Sequence, residues 1–297
     1  MEDALDPASD LRVAAAASAD SAPAAPGPDR AIGERRFGAV NWLGVWTLYV
    51  REVRRFLKVA FQTVFAPVTS TLLFLLVFHL ALGQNRGDVN GAPFIVFLAP
   101  GLAMMAILNN AFANSSSSLI IAKVQGSLVD ILMPPLSAAE LTAGLVLGAA
   151  TRGLMVGVST IAAMAIVMAW AGAPLSVHNI FAAFYFALAA STMLGMVGVI
   201  AGIWAEKFDQ LAVVTNFVIT PMAFLSGTFY SIRDLPETFY GVSQWNPIFY
   251  LIDGIRYGFT GVSDASVLRG ALIAAALNVV LLAICYRLFK SGYKLRS

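Results

Sequence analysis

Long apolar stretches alternate with short clusters of charge along this chain. Val59 to Leu82, and most of Leu141 to Trp170, hold almost no ionisable group, and each is long enough to cross roughly 30 Å of hydrocarbon. The pattern predicts six membrane-spanning helices, at about Val59–Leu82, Phe94–Ile121, within Leu141–Trp170, Val177–Trp204, Leu211–Phe229 and Leu268–Phe289. Pro67, Pro100 and Pro221 fall inside the first, second and fifth, where each can kink a helix. Barrel strands are short and alternate apolar with polar, so the long runs favour a helix bundle.

Two segments depart from this rhythm. In Asn41 to Lys58 the residues Trp42, Trp46, Tyr49, Val53 and Phe56 recur at intervals of three and four, while Arg51, Arg54, Arg55 and Lys58 occupy much of the other side. That predicts an amphipathic helix in the membrane interface, with rings at headgroup level. The alternative is the basic flank of the first span. Between spans five and six, Tyr230 to Val267 mixes aromatics and charges with breaks at Pro236 and Pro247, which predicts short helices in the outer half of the membrane. Asp253 and Arg256, three apart, can face each other there.

Composition narrows the class. Charged residues are 12% of the chain and hydrophobic residues 59%, where a soluble domain carries about 25% charge. The fold class expected is an all-α polytopic membrane protein. One membrane domain, residues 39–297, follows an Ala- and Pro-rich segment over residues 1–38 that reads as a flexible cytoplasmic tail. Its acidic start, Glu2 and Asp3, and the lack of an apolar run argue against a signal or transit peptide. The net charge of +2 does not suggest a nucleic-acid partner. Basic residues flank span one and follow span six (Arg287, Lys290, Lys294, Arg296), which places both ends in the cytoplasm. The single Cys285 rules out an intrachain disulfide.

Catalytic patterns are missing: the chain has no phosphate-binding loop, no C-x-x-C and no H-E-x-x-H. His79 and His178 read as interfacial polar residues, and no convergent donors suggest a metal or cofactor. Carboxylates are nearly absent from the spans, which counts against an ion-driven carrier, so energy for transport would enter from another polypeptide. Span two carries Asn109, Asn110, Asn114 and Ser115 to Ser118, which must turn toward protein or a watery cavity, as packing groups or as a substrate path. The Gly144/Gly148, Gly153/Gly157 and Gly195/Gly198/Gly202 sets suit close helix contact. After span two, Lys123 to Leu132 can form a short helix stopped by Pro134-Pro135, with Val124, Leu128, Ile131 and Leu132 on its apolar side. Such a helix could dock a soluble motor or rest on its own bundle.

Several motifs together resemble one family. They are Gly126-x-x-x-Asp130-Ile131-Leu132-Met133-Pro134-Pro135-Leu136-Ser137-x-x-Glu140, Phe208-Asp209-Gln210, Pro221-x-x-Phe224-Leu225-Ser226-Gly227-Thr228-Phe229-Tyr230, and Asn246-Pro247-Ile248-x-Tyr250-x-x-Asp253-Gly254-x-Arg256. From Trp42 to Arg296 the chain resembles the type-2 ABC exporter permeases, which include polysaccharide, nodulation and drug-resistance permeases, and most of all the YadH-type branch. The resemblance implies a homodimer in the bacterial inner membrane, joined by two copies of a separate ATPase that holds ATP and Mg. It implies a coupling element at Val124, Gly126, Leu128, Asp130, Ile131 and Leu132, with Phe208 and Asp209 as a secondary contact. Phe229, Tyr230, Asp253 and Arg256 would belong to an outer cap. Asn109, Asn110, Phe112, Asn114 and Phe217 are the pathway residues expected for a lipid-linked, glycan or amphiphilic substrate. Two rival classes remain. A passive scaffold or lipid scramblase would need no coupling loop. A lipid-modifying enzyme would need charges converging at one membrane depth, which this chain does not have.

Overall fold

A computed structural model of the protein describes residues 40–83, 89 and 91–295. The tail expected over residues 1–38, most of the turn after span one and Arg296 lie outside the described residues. The described elements are helical. They are α1 Trp42–Leu57, α2 Ala60–Phe78 (running on into a π-helical turn, His79–Gly83), α3 Phe94–Val124, α4 Leu128–Leu132, α5 Ala138–Trp170 and α6 Ile180–Trp204. Then come α7 Phe208–Phe224, α8 Glu237–Trp245, α9 Pro247–Thr260 and α10 Val267–Ser291.

Among the described residues, α2, α3, α5, α6 and α10 are long and apolar enough to cross a membrane, while α7 is a shorter apolar helix. The protein is therefore an all-α polytopic membrane protein with five apolar spans. The fifth expected span is short because it stops at Phe224 rather than Phe229. Its middle is a π-helical turn, Thr215–Ile219, placed just before Pro221. Proline has no N–H to donate and its ring crowds the carbonyl four residues back, and one widened turn relieves both. Past Phe224 the chain turns through Gly227, whose φ of +70° suits a residue without a Cβ.

The helix starts carry their own caps. Ser137 caps α5 at the N–H of Glu140, and the Glu140 side chain returns to the Ser137 N–H, a reciprocal pair that starts the helix at Ala138. Asn179 caps α6 by accepting from the Ala182 N–H.

Helix α3 lies at the centre, between α5 and α6, and most of its length is buried. That position explains a helix apolar and polar on every side. Its hydroxyls find carbonyls: Ser115 Oγ donates to Gly195 O at 2.6 Å and Ser116 Oγ to Phe112 O at 2.7 Å. The glycine pairs of α5 serve different partners. Gly144 and Gly148 admit Leu48 and Glu52 of α1, whereas Gly153 admits Ser191 of α6 and Ala111 of α3, and Gly157 admits Ile107 of α3.

Helix α1 meets the bundle with a face that takes in Phe56 of the expected ring-bearing set and leaves the tryptophans outside. Val45, Leu48, Glu52 and Phe56 are buried, at helical spacing, while Trp42 and Trp46 are 74% and 60% exposed. The basic side is also divided: Arg51, Arg54 and Lys58 are exposed, but Arg55 turns inward. Helix α9 is buried over most of its length against α3, α6 and α10. Gly254 lets it approach the Phe186 ring and Gly258 the backbone of Ala183.

Candidate functional site

Helices α2, α3 and α7 enclose a furrow of two adjoining compartments. One, of about 350 Å³, has Pro67, Ser70, Thr71 and Phe74 on α2 facing Asn109 and Asn110 on α3, with Thr220 and Phe224 on α7. The other, of about 530 Å³, runs between Phe112, Ser116 and Ser117 on α3 and Leu211, Thr215 and Thr220 on α7. Asn109, Asn110 and Thr220 border both. The result is an apolar trough with a polar strip along its floor.

Of the residues expected on a pathway, Asn109 and Asn110 line both compartments and Phe112 lines the larger. Phe217 lines neither and is 77% exposed. Asn114 is fully buried and faces the other way, toward α1. Ser117 comes from the serine run expected to turn from lipid, and Ser70, Thr71, Thr215 and Thr220 join the furrow without having been singled out. Their signal was present as isolated hydroxyls in otherwise apolar spans.

Behind the floor lies a buried ion network. Glu52 is fully buried; its carboxylate accepts from Ser118 Oγ at 2.7 Å and from the Arg55 guanidinium at 3.0 Å. Arg55 also donates to Ser117 Oγ at 3.0 Å, to Asn114 O at 2.6 Å and to Asn114 Oδ1 at 3.1 Å. One turn along α3, Arg152 of α5 donates to Asn110 Oδ1 at 3.2 Å. Two of the furrow residues, Asn110 and Ser117, are thus each held by a guanidinium. A buried carboxylate is costly unless paired and hydrogen-bonded, and Glu52 has both kinds of partner.

A second region gathers at the ends of α3 and α6. Ile131 of α4 is 1% exposed, packed in a cluster with Leu48, Leu119, Leu141, Ile203, Phe289 and Leu295, and Leu128 and Leu132 pack against it half-buried. These three hold α4 to its own bundle. The side facing outward is Val129, Asp130 and Met133, with Val129 57% and Met133 75% exposed, and Val124, which ends α3, is exposed beside it. Gly126 turns the chain between α3 and α4 at φ +70°, and Phe208 and Asp209 are exposed at the start of α7.

The loop after α4 is tied to α1 through one carboxylate. Glu140 Oε1 accepts from the Asn41 N–H at 2.5 Å and Oε2 from the Ser137 N–H at 2.6 Å, while Asn41 Nδ2 donates to Pro135 O at 3.3 Å. The Ser-x-x-Glu spacing was legible as a capping box. Its reach to Asn41, 99 residues away in sequence, was not.

An ABC-2 type transporter family profile matches residues 44–260. That covers the furrow, α4 and the start of α7. The chain belongs to this family. It is 34% identical over 257 residues to the inner membrane transport permease YadH of Escherichia coli K12, covering 86% of this chain and 98% of that one. It is 26% identical over 217 residues to nodulation protein J of Rhizobium meliloti, covering 73% and 80%. The protein is the transmembrane permease subunit of an ABC-type exporter, embedded in lipid, and membership implies pairing with a soluble ABC ATPase. Among the described residues no group of three or more His, Cys, Asp or Glu is placed to hold a metal.

In this permease the segment after α7 closes on the furrow. Phe229 stacks between Phe78 and Phe224, with ring centroids 4.6 and 5.3 Å away, and lines the smaller compartment. Tyr230 donates to Phe224 O at 3.3 Å. Asp253 and Arg256 do not pair with each other. Asp253 accepts from the N–H groups of Asp264 at 2.7 Å and Ala265 at 3.0 Å, and Arg256 donates to Gly227 O at 2.6 Å beneath the Phe97 ring, 3.8 Å from its centroid. The hydrogen bonds of Asp253 thus come from backbone N–H groups, and Arg256 is held by a carbonyl and a ring face.

Proposed function

We propose that two copies of this permease and two copies of a separate ATPase move an amphiphilic, lipid-linked or glycan-bearing substrate outward across the bacterial inner membrane. The observation that carries this reading is the furrow: an apolar trough with Asn109, Asn110 and Thr220 on its floor suits a molecule with an acyl chain and a polar head. The guanidiniums behind Asn110 and Ser117 favour a head that is polar or anionic. Exposed rings on α2 and α7, Phe61, Phe65 and Phe217, leave an apolar surface beside the furrow for lipid or for the second copy. In this arrangement α7 is a sixth span, α8 and α9 with Phe229 and Tyr230 cap the outer end, and the start of α1 and the end of α10 face the cytoplasm.

ATP and Mg belong to the partner chain, which meets the exposed side of α4 and the start of α7. ATP-driven closure of the ATPase pair would press on α4 and shift the packing of α2, α3 and α7 around the furrow. The test is a pull-down in mild detergent followed by an ATPase assay. Wild type retains a stoichiometric P-loop ATPase, and the double variant V129D/M133D, altered only at exposed positions, inserts normally but loses it. A protein that purifies intact and alone would instead be a passive scaffold or scramblase.

The furrow has its own test. In vesicles holding the assembled complex, N109A/N110A lowers ATP-dependent translocation of lipid-linked and amphiphilic probes by about tenfold, since each amide gives up a hydrogen-bonding group to the head. Unchanged translocation with the ATPase still bound would remove the furrow from the pathway.

A further inference from the structure

We propose that the C-terminal turn, Gly292 to Leu295, forms one wall of the surface that receives the ATPase subunit. This inference rests on the reading of the chain as an ATPase-coupled permease, and it adds a segment some 160 residues from α4 in sequence to that surface.

The turn is held in place from several sides. Lys294 Nζ donates to Glu206 Oε1 at 2.8 Å and to Trp204 O at 3.3 Å, at the carboxyl end of α6. Lys123, from the end of α3, donates to the neighbouring carbonyls of Ile203 and Ala205. Two lysines from opposite sides therefore cap the last carbonyls of one helix, where unpaired C=O groups and the helix dipole favour a cation. Lys294 holds φ at +53°, the one non-glycine residue with positive φ among the described residues. Backbone of that kind is unfavourable for a residue with a Cβ and persists where surrounding contacts demand it. Leu295 supplies the anchor, buried in the same cluster as Ile131 of α4.

A cleft of about 350 Å³ opens between the turn and α4, bordered by Val124, Leu128 and Val129 on one side, Lys294 and Leu295 on the other, and Glu206 between them. Interiors of folded chains are close-packed, so a gap at this place, with Val124, Leu128, Val129 and Leu295 beside Lys123, Glu206 and Lys294, invites a side chain from outside. The cleft is continuous with the exposed Val129 and Met133 side of α4 and with Val124 at the end of α3, and its occupant is a side chain of the ATPase with an apolar body and a polar end. The ion pair is stable over a wide pH range. Lys294 holds the Glu206 carboxyl below its ordinary value, and Glu206 holds the Lys294 ammonium above its own, so both stay charged at neutral pH. The depressed acid would be lost only in acid and the raised base only in alkali.

Cysteine accessibility tests the proposal, because Cys285 is buried and gives little background. Three variants are labelled in detergent with a thiol reagent, with the ATPase bound and after it is stripped: Y293C in the turn, M133C on α4 and W245C on α8. Bound ATPase is expected to slow labelling of Y293C and M133C by about fivefold or more and to leave W245C unchanged. Protection of M133C with Y293C labelled equally in both states would overturn the role of the turn and leave the coupling reading intact. No protection at either position in a stoichiometric complex would overturn both, as would a permease that purifies without an ATPase. Reversing the charge, K294E, is expected to release the ATPase at lower salt than the control K290E. Equal retention of the two would also count against the turn.

Discussion

The permease variant E52A is expected to unfold about 3 kcal/mol more easily than wild type, because removing one partner of a buried ion pair strands the other. Glu52 is the fully buried member of the pair, and Arg55 keeps about a quarter of its side chain exposed. Relief of Arg55 toward solvent therefore softens the loss without removing it. Gly148 is part of the same device: a Cβ there would lie 2.6 Å from the Glu52 Cβ, so the glycine is what lets α1 bring its carboxylate to α3. The measurement is thermal unfolding in detergent followed by unmasking of the buried Cys285 thiol. The double variant E52A/R55A should recover a large part of the stability, since it removes the stranded cation along with its partner. If E52A melted at the wild-type temperature, or E52A/R55A fell by the sum of the single losses, the network would not be a coupled ion pair.

A loss of similar size is expected at Gly198, where α6 crosses the polar run of α3. A Cβ there would sit 2.5 Å from both the Phe112 carbonyl oxygen and Ser115 Oγ. Backbone oxygen cannot swing aside as a flexible side chain can, so G198V must force the two central helices apart, at about 3 kcal/mol. It would also break the bond from Ser115 Oγ to Gly195 O. Gly241 is the contrast within the same molecule, because a Cβ on it meets nothing within 4 Å in the middle of α8. There G241A should be neutral or slightly stabilising, by about 0.5–1 kcal/mol from helix propensity. Parallel melting curves of the two variants check both expectations, and equal losses would show that close packing at Gly198 is not the cause.

Much of this architecture is legible in the sequence. Apolar runs long enough for a bilayer located α2, α3, α5, α6 and α10, because a helix in lipid must satisfy its backbone within itself and so shows its length in sequence. The end of the fifth run was misplaced for a local reason. Leu225 to Phe229 is apolar enough to continue a helix, yet its backbone turns at Gly227 and its carbonyl goes to Arg256. Hydropathy reports what a segment can dissolve in, and hydrogen bonding decides where it bends.

The furrow and the network show the same division. The asparagines and serines of α3 announced a face turned from lipid, since such groups are costly there. Which of them would line a furrow was a different question. Asn110 and Asn114 are four apart and nominally share a face, but Asn110 borders the furrow while Asn114 is turned to Arg55. On α4, helical spacing identified an apolar side, and the packed structure turned Ile131 inward and left Val129 and Met133 outward.

The sequence by itself determined that this is a helical membrane protein, where its long spans lie, and which family it belongs to. These properties are set by local solvation, segment length and residue order, each of which is written in consecutive positions. The tertiary structure alone decided the partners of its few charges: Glu52 with Arg55 and Ser118, Glu140 with Asn41, Arg152 with Asn110, and Lys294 with Glu206. A charge near the membrane can lower its cost by snorkelling, by pairing or by capping a helix, and composition cannot distinguish these outcomes. The choice depends on which helices come close enough to offer a partner, and here the small residues at helix crossings set that distance.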